Sequence, residues 1–303
     1  MHDIEIIINA SSGKGGGPDR ERELADAFAA HWLEARIRSA GSGEELMDLA
    51  RAAAESDAKT IVAGGGDGTI SAVAGAIAGK GKTLGVLPFG TLNHFAKDLG
   101  IPFELKAAVD VIAAGHAIDV DLGEVNGRVF INNSSLGLYP EMVRGRERMQ
   151  RLGYSKFRSL VPAAMAAFRR YPLIDVRLRA DGNEIVTRSP FIFIGNNKYE
   201  LESFEIGTRE RLDAGQLCGY MTRRTGRLAL LRIAIKAVFG GLTQERDFLS
   251  AMTDEILIET HRSNIRVALD GEVVMMSPPL RYSIRPGALR VFVPEKPQSE
   301  GTE

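Results

Sequence analysis

The chain carries a single cysteine, Cys218, and a single tryptophan, Trp32. A lone thiol cannot close an internal disulfide, so a disulfide-stapled secreted scaffold is excluded and a reducing cytoplasm is the expected location. No uninterrupted apolar run reaches the roughly 18 residues that suggest a membrane-crossing helix, so any membrane contact is expected to be peripheral. The apolar stretch Ile4 to Ile8 is short, follows no basic start and leads to no small-residue cleavage site, which is not the pattern of a signal peptide. The five histidines are scattered, and no His/Cys cluster has zinc-ligand spacing. A net charge of -1 lacks the positive excess of a protein built to coat nucleic acid, so no such partner is expected. Against these absences, 303 residues at 44% hydrophobic content give ample core material for two domains.

The first third alternates regularly. Ile4 to Ile8 reads as a strand, Asp19 to Ala35 as a helix with Leu24, Phe28 and Trp32 on one apolar face, and Arg36 to Ser39 as a second strand. Helix Glu44 to Ala54, strand Thr60 to Ala63, helix Thr69 to Ala78, strand Leu84 to Leu87 and helical turns to Leu99 follow. Alternation of this kind predicts a mostly parallel sheet with ligand loops at the carboxyl ends of its strands. After about Asp119 the texture changes to short β-branched and aromatic runs: Val129 to Asn132, Ile174 to Arg179, Phe191 to Ile194, Ile256 to Glu259, Ile265 to Leu269 and Leu280 to Ile284. The pairs Asn126-Gly127, Asp181-Gly182 and Asp270-Gly271 predict hairpin turns. The expected organisation is an α/β domain over 1–120, a β-rich domain over 121–294 with mostly helical insertions, and a frayed tail over 295–303.

Three loops call for a chemical reading: Asn9-Ala10-Ser11-Ser12-Gly13-Lys14, Gly64-Gly65-Gly66-Asp67-Gly68-Thr69 and Pro88-Phe89-Gly90-Thr91-Leu92-Asn93. Glycine lets backbone amides approach a phosphate, and a helix beginning at Thr69 would add its positive dipole end. One such loop is more often a plain turn, but three in succession at one end of a sheet point to a nucleotide. Asp67 would repel a bare phosphate; it makes sense with Mg²⁺ between them. Gly81-Lys82-Thr83 resembles the end of a Walker A loop, but Ala76 stands where its first glycine belongs and a strand follows. The Rossmann G-x-G-x-x-G pattern is missed as well.

Gly65 to Thr69, together with Pro88 to Asn93 and its continuation to Pro102, resembles the catalytic domain of diacylglycerol, sphingosine and ceramide kinases and their soluble bacterial lipid-kinase relatives. The likeness continues through Asn9 to Gly13, Asp121-Leu122-Gly123, Leu212 to Gly215 and Asp270-Gly271-Glu272. It implies an NAD kinase/phosphofructokinase-like α/β domain, a β-sandwich whose last strands can return to the first domain, and use of ATP and Mg²⁺. Carried over by position, nucleotide contacts fall on Asn9, Ala10, Ser11, Ser12, Gly13, Ser39, Gly65, Gly66, Asp67, Gly68, Thr69, Thr91 and Asn93. Lys14 and Asp121 match positions that matter for activity, Asp67 is the expected metal ligand, Asp213 beside Ala214 is the acid left to serve the structural metal position, and Glu272 matches the general base, with Asp270 beside it.

The chain also departs from the pattern. Ser71 and Ala72 replace the usual Asn and Glu after the glycine loop, His94 replaces an Asp, and Ala214 replaces the ligating acid of the structural Mg²⁺ motif. Two stretches, Arg144 to Arg170 and Arg223 to Phe239, are basic and amphipathic, with Arg227, Arg232 and Lys236 at near-helical spacing. Such helices suit an anionic membrane surface, although each by itself more often covers a domain core. The expectation is an ATP- and Mg²⁺-dependent lipid kinase acting peripherally at the inner membrane face, with a homodimer left open. An NAD kinase-like enzyme and a non-catalytic nucleotide-binding regulator stand as alternatives.

Overall fold

The computed structural model describes residues 3–10, 18–137, 173–180, 183–199, 209, 211–222 and 248–295. Ser11 to Lys14, the Asp181-Gly182 turn, both basic stretches and the tail beyond 295 lie outside the described residues. The chain forms two compact units, residues 1–120 with 287–303, and residues 121–286.

The first unit holds a parallel sheet of β1 (Ile4–Asn9), β2 (Ala35–Ala40), β3 (Thr60–Gly65) and β4 (Thr83–Pro88), in the order β2-β1-β3-β4. Its far side is completed by the end of the last strand, β16 (Leu280–Phe292), where Arg290 and Val291 pair in parallel with Thr83 and Leu84. The connections are α1 (Pro18–Ala29), α2 (Gly43–Ala54), α3 (Asp67–Ile77), α4 (His94–Asp98) and α5 (Leu105–Ala114). Helix α1 packs with α5, and α2 with α3. Central strands covered on both faces need apolar residues throughout, and Ile6, Ile7, Ile61, Val62 and Leu84 are wholly buried.

The first helix is shorter than its apolar spacing predicts. Leu24 and Phe28 are buried as expected, but Trp32 is 95% exposed and lies beyond the helix. The Trp32 amide donates to the Ala29 carbonyl and that of Leu33 to the Phe28 carbonyl, the two bonds of a Schellman end. That closure puts Trp32 at φ 59, so its side chain leaves the helical face. Helix α3, in contrast, begins two residues earlier than expected, which brings Asp67 into its first turn. Helix α5 went unnoticed in the sequence; Glu104 caps it by accepting the Ala107 amide at 2.8 Å.

The second unit contains two sheets. One joins the first half of β16 to β13 (Glu255–Glu259), then β8 (Ile174–Ala180) and β9 (Asn183–Ser189). Strand β5 (Ala117–Val125), which enters this unit at Asp121, pairs with β16 and with β6 (Arg128–Phe130). The other sheet runs β12 (Phe248–Thr253), β11 (Leu217–Thr222), β10 (Phe191–Asn196), β7 (Asn133–Gly137), β14 (Ile265–Leu269) and β15 (Glu272–Met276), all neighbours antiparallel. Ile192, Ile194 and Val267 from one sheet share a core with Ile256, Ile258 and Leu280 from the other, so the unit is a β-sandwich. Two predicted turns take left-handed conformations at both central residues: Asn126 and Gly127 at φ 46 and 81, Asp270 and Gly271 at φ 46 and 87. Both are two-residue hairpin loops, linking Val125 to Arg128 and Leu269 to Glu272.

Candidate active site

In the first unit, two glycine loops meet at the carboxyl ends of β3 and β4. The Phe89 amide donates to the Gly65 carbonyl at 2.9 Å. A Cβ placed on Gly90 would lie 2.5 Å from the Gly66 Cα, so the loops touch backbone to backbone and only glycine fits there. A Cβ on Gly65 would likewise strike the Thr69 side chain at 2.4 Å. Thr69, buried in the first turn of α3, accepts the Asn9 side-chain amide at 3.3 Å, which joins the end of β1 to the same cluster. The Ala10 amide donates to the Ala40 carbonyl, and the Ser39 hydroxyl donates to Glu21. Thr91 is exposed. Asn93 is buried in a left-handed conformation, with its amide donating to the carbonyls of Gly90 at 2.9 Å and Pro88 at 3.3 Å. Its side chain shapes the second loop.

Asp67 is half-buried, and one of its oxygens accepts the Phe95 amide at the start of α4 at 3.4 Å. The carboxylate therefore stands where the two loops lead into their helices. Backbone cradles that tolerate no Cβ, beside a helix N-terminus, fit a nucleotide phosphate, and the Asp67 carboxylate is the group that would hold a Mg²⁺ ion there. Arg20 was not singled out in the sequence, yet its guanidinium lies 4.5 Å from the centroid of the Phe89 ring. It brings a cation to the same group of loops, and only the fold connects the two residues. The Walker-like lysine is accounted for differently: Lys82 donates to the carbonyls of Ser56 and Ala58, each at 2.6 Å, closing the end of α2.

The remaining predicted residues belong to the second unit. Asp121 is 2% exposed; its Oδ2 accepts the Gly215 amide at 2.7 Å and the Asn197 side-chain amide at 3.1 Å. It thereby anchors the turn that carries Asp213. Asp213 points into solvent and pairs with the Arg211 Nε at 2.9 Å. Among the described residues, no group of three or more His, Cys, Asp or Glu side chains is arranged to hold a metal ion. Asp270 accepts three backbone amides: Ile131 on Oδ2 at 2.8 Å, and Asn132 and Asn133 on Oδ1 at 2.8 and 3.0 Å. Glu272, the first residue of β15, is exposed, and no described residue pairs with its carboxylate. Asn132, Asn196, Asn197 and Arg209 are buried polar residues that the sequence reading passed over. The adjacent Asn196-Asn197 pair closing an apolar strand was the available signal.

Paired glycine loops ending parallel strands, with an antiparallel sandwich in the second unit, fit a nucleotide-using enzyme, and the family matches identify it as a kinase. The diacylglycerol kinase catalytic domain matches residues 3–125, and the YegS C-terminal NAD kinase β-sandwich-like domain matches residues 143–293. Between them the two matches span most of the chain, which carries a diacylglycerol kinase catalytic domain followed by a YegS-like C-terminal domain. Diacylglycerol kinases of Staphylococcus aureus strains MRSA252 and Newman are each 29% identical over 281 residues, 88% of this chain and 85% of theirs. A crystal structure of a diacylglycerol kinase from Bacillus anthracis str. Sterne superposes with TM-score 0.70 at 19% identity, covering 96% of each chain. A second crystal structure from that organism reaches TM-score 0.76 at 22% identity, covering 96% of this chain and 97% of the other. These structures share the fold.

Proposed function

We propose that this kinase transfers the γ-phosphoryl group of ATP to the hydroxyl of a membrane lipid, with diacylglycerol the first acceptor to test. The observation that carries the reading is the glycine-to-glycine contact of the two loops beside Asp67. The names of the Staphylococcus aureus relatives support the acceptor. Phosphoryl transfer is mainly a matter of positioning and of neutralising spread negative charge. Gly65, Gly66 and Gly68 offer backbone amides to the phosphates, and Asp67 would hold a Mg²⁺ ion beside them. When bound, that ion neutralises charge on the phosphate oxygens. Glu272 accepts the proton of the lipid hydroxyl as its oxygen bonds to phosphorus, and ADP leaves. The basic stretches Arg144 to Arg170 and Arg223 to Phe239 draw the enzyme to anionic headgroups at the inner face of the membrane.

The test is transfer of labelled γ-phosphate to a panel of diacylglycerol, phosphatidylglycerol, sphingoid bases and NAD. Labelled lipid is expected, and labelled NADP in its place would overturn the acceptor class. Asp67→Ala should abolish transfer while leaving the circular dichroism spectrum unchanged, because a half-buried carboxylate at the start of α3 contributes little to the core. Wild-type turnover in that variant would remove Asp67 from the chemistry.

A further inference from the structure

The segment Ile131–Asn133, which leads from β6 into β7, is held between opposite charges. Arg209 is 4% exposed, and its Nη1 donates to the Ile131 carbonyl at 2.7 Å and the Asn196 carbonyl at 3.2 Å. Its Nη2 donates to the Asn132 Oδ1 at 2.8 Å. From the other side Asp270 accepts the amides of Ile131, Asn132 and Asn133. The peptide unit joining Ile131 to Asn132 thus offers its oxygen to a guanidinium and its N–H to a carboxylate. A peptide dipole of about 3.5 D lying in that direction is stabilised from both ends.

Neighbouring bonds stiffen the arrangement. The Asn196 amide donates to the Asn132 carbonyl and the Asp270 amide to the Asn133 carbonyl, each at 2.9 Å. The Asn196 side chain donates to the Ile131 carbonyl at 2.9 Å and to the Asp121 carbonyl at 2.7 Å. Desolvating a guanidinium costs several kcal/mol, so burial of Arg209 requires compensation of this completeness. A lysine would supply the charge but not the planar fork that reaches Ile131 and Asn132 together. Asp270 in turn opens the two-residue turn that ends at Glu272.

We propose that Arg209 is a positioning residue for Glu272. It acts through the Ile131–Asn132 peptide and the Asp270 carboxylate, which together set the turn from which Glu272 projects. The catalytic half of this proposal rests on the reading of Glu272 as general base.

Arg209→Lys keeps the charge and loses the fork. In the folded variant, hydrogen exchange at the amides of Ile131, Asn132, Asn133 and Asp270 should accelerate by about tenfold or more, while β1 and β3 amides keep their protection. Turnover should fall by about tenfold, with KM for ATP held within about twofold. Unchanged exchange at those four amides overturns the proposal. So does fast exchange with full turnover, provided Glu272→Gln lowers turnover in the same assay. If Glu272→Gln keeps wild-type turnover, the general-base reading fails, and exchange at Asp270 still decides whether Arg209 holds the turn. Should Arg209→Lys not fold, Asn132→Ala removes only the Nη2 acceptor and is expected to give the same pattern at smaller size.

Discussion

A single glycine separates Asp270 from Glu272, yet the first carboxylate accepts three backbone amides while the second stands in solvent. The difference divides them: Asp270 shapes the turn, and Glu272 is left accessible for the proton transfer proposed for it. Glu272→Gln keeps size and hydrogen-bonding capacity, so turnover should fall by about 10²–10⁴-fold, the usual contribution of a general base. Nucleotide affinity should hold, and a fall of only a few-fold would return Glu272 to the flank of a turn. Tyr282 makes a second prediction. Burial pushes its phenol far above the ordinary value of 10.0, against a lesser downward pull from the hydrogen bond to Ser134. The folded phenol keeps its proton where the unfolded one has lost it, so the folded state binds more protons and stability falls as pH rises. That contribution is complete below the unfolded value and declines above it. Urea midpoints measured between about pH 9 and about pH 11 should fall less steeply in Tyr282→Phe, which itself costs about 1 kcal/mol through the lost bond to Ser134. Equal slopes would show that Tyr282 does not carry the alkaline dependence.

At the scale of elements, the loops after β3 and β4 act as one structure, since Gly90 has room for no side chain against Gly66. Gly90→Ala should therefore push the loops apart and raise KM for ATP by about tenfold or more, with the fold retained. An unchanged KM would mean that the loops do not hold the nucleotide. Helix ends were the least legible elements. The spacing of Leu24, Phe28 and Trp32 continues the apolar face of α1, but the chain closes a Schellman end first and turns Trp32 outward. Hairpins were more legible, because Asn-Gly and Asp-Gly take left-handed conformations with little strain.

At the scale of the whole molecule, no described helix is long and apolar enough to cross a membrane. Binding to vesicles should strengthen with anionic lipid and weaken with salt, because the proposed headgroup attraction to Arg227, Arg232 and Lys236 would be screened within about 8 Å at physiological ionic strength. Indifference to both variables would assign those residues to packing alone. The β-strand and helix alternation, the glycine loops and the turn pairs were determined by the sequence itself, since each depends on backbone preferences acting over a few residues. Tertiary structure decided the rest. The final strand leaves the sandwich to pair with Thr83 and Leu84, more than 200 residues away in the chain. Arg20 meets Phe89, and Arg209 meets Asp270 across the Ile131–Asn132 peptide. No local pattern encodes such meetings: they follow from burying charged and polar groups together, which only the packed chain can arrange.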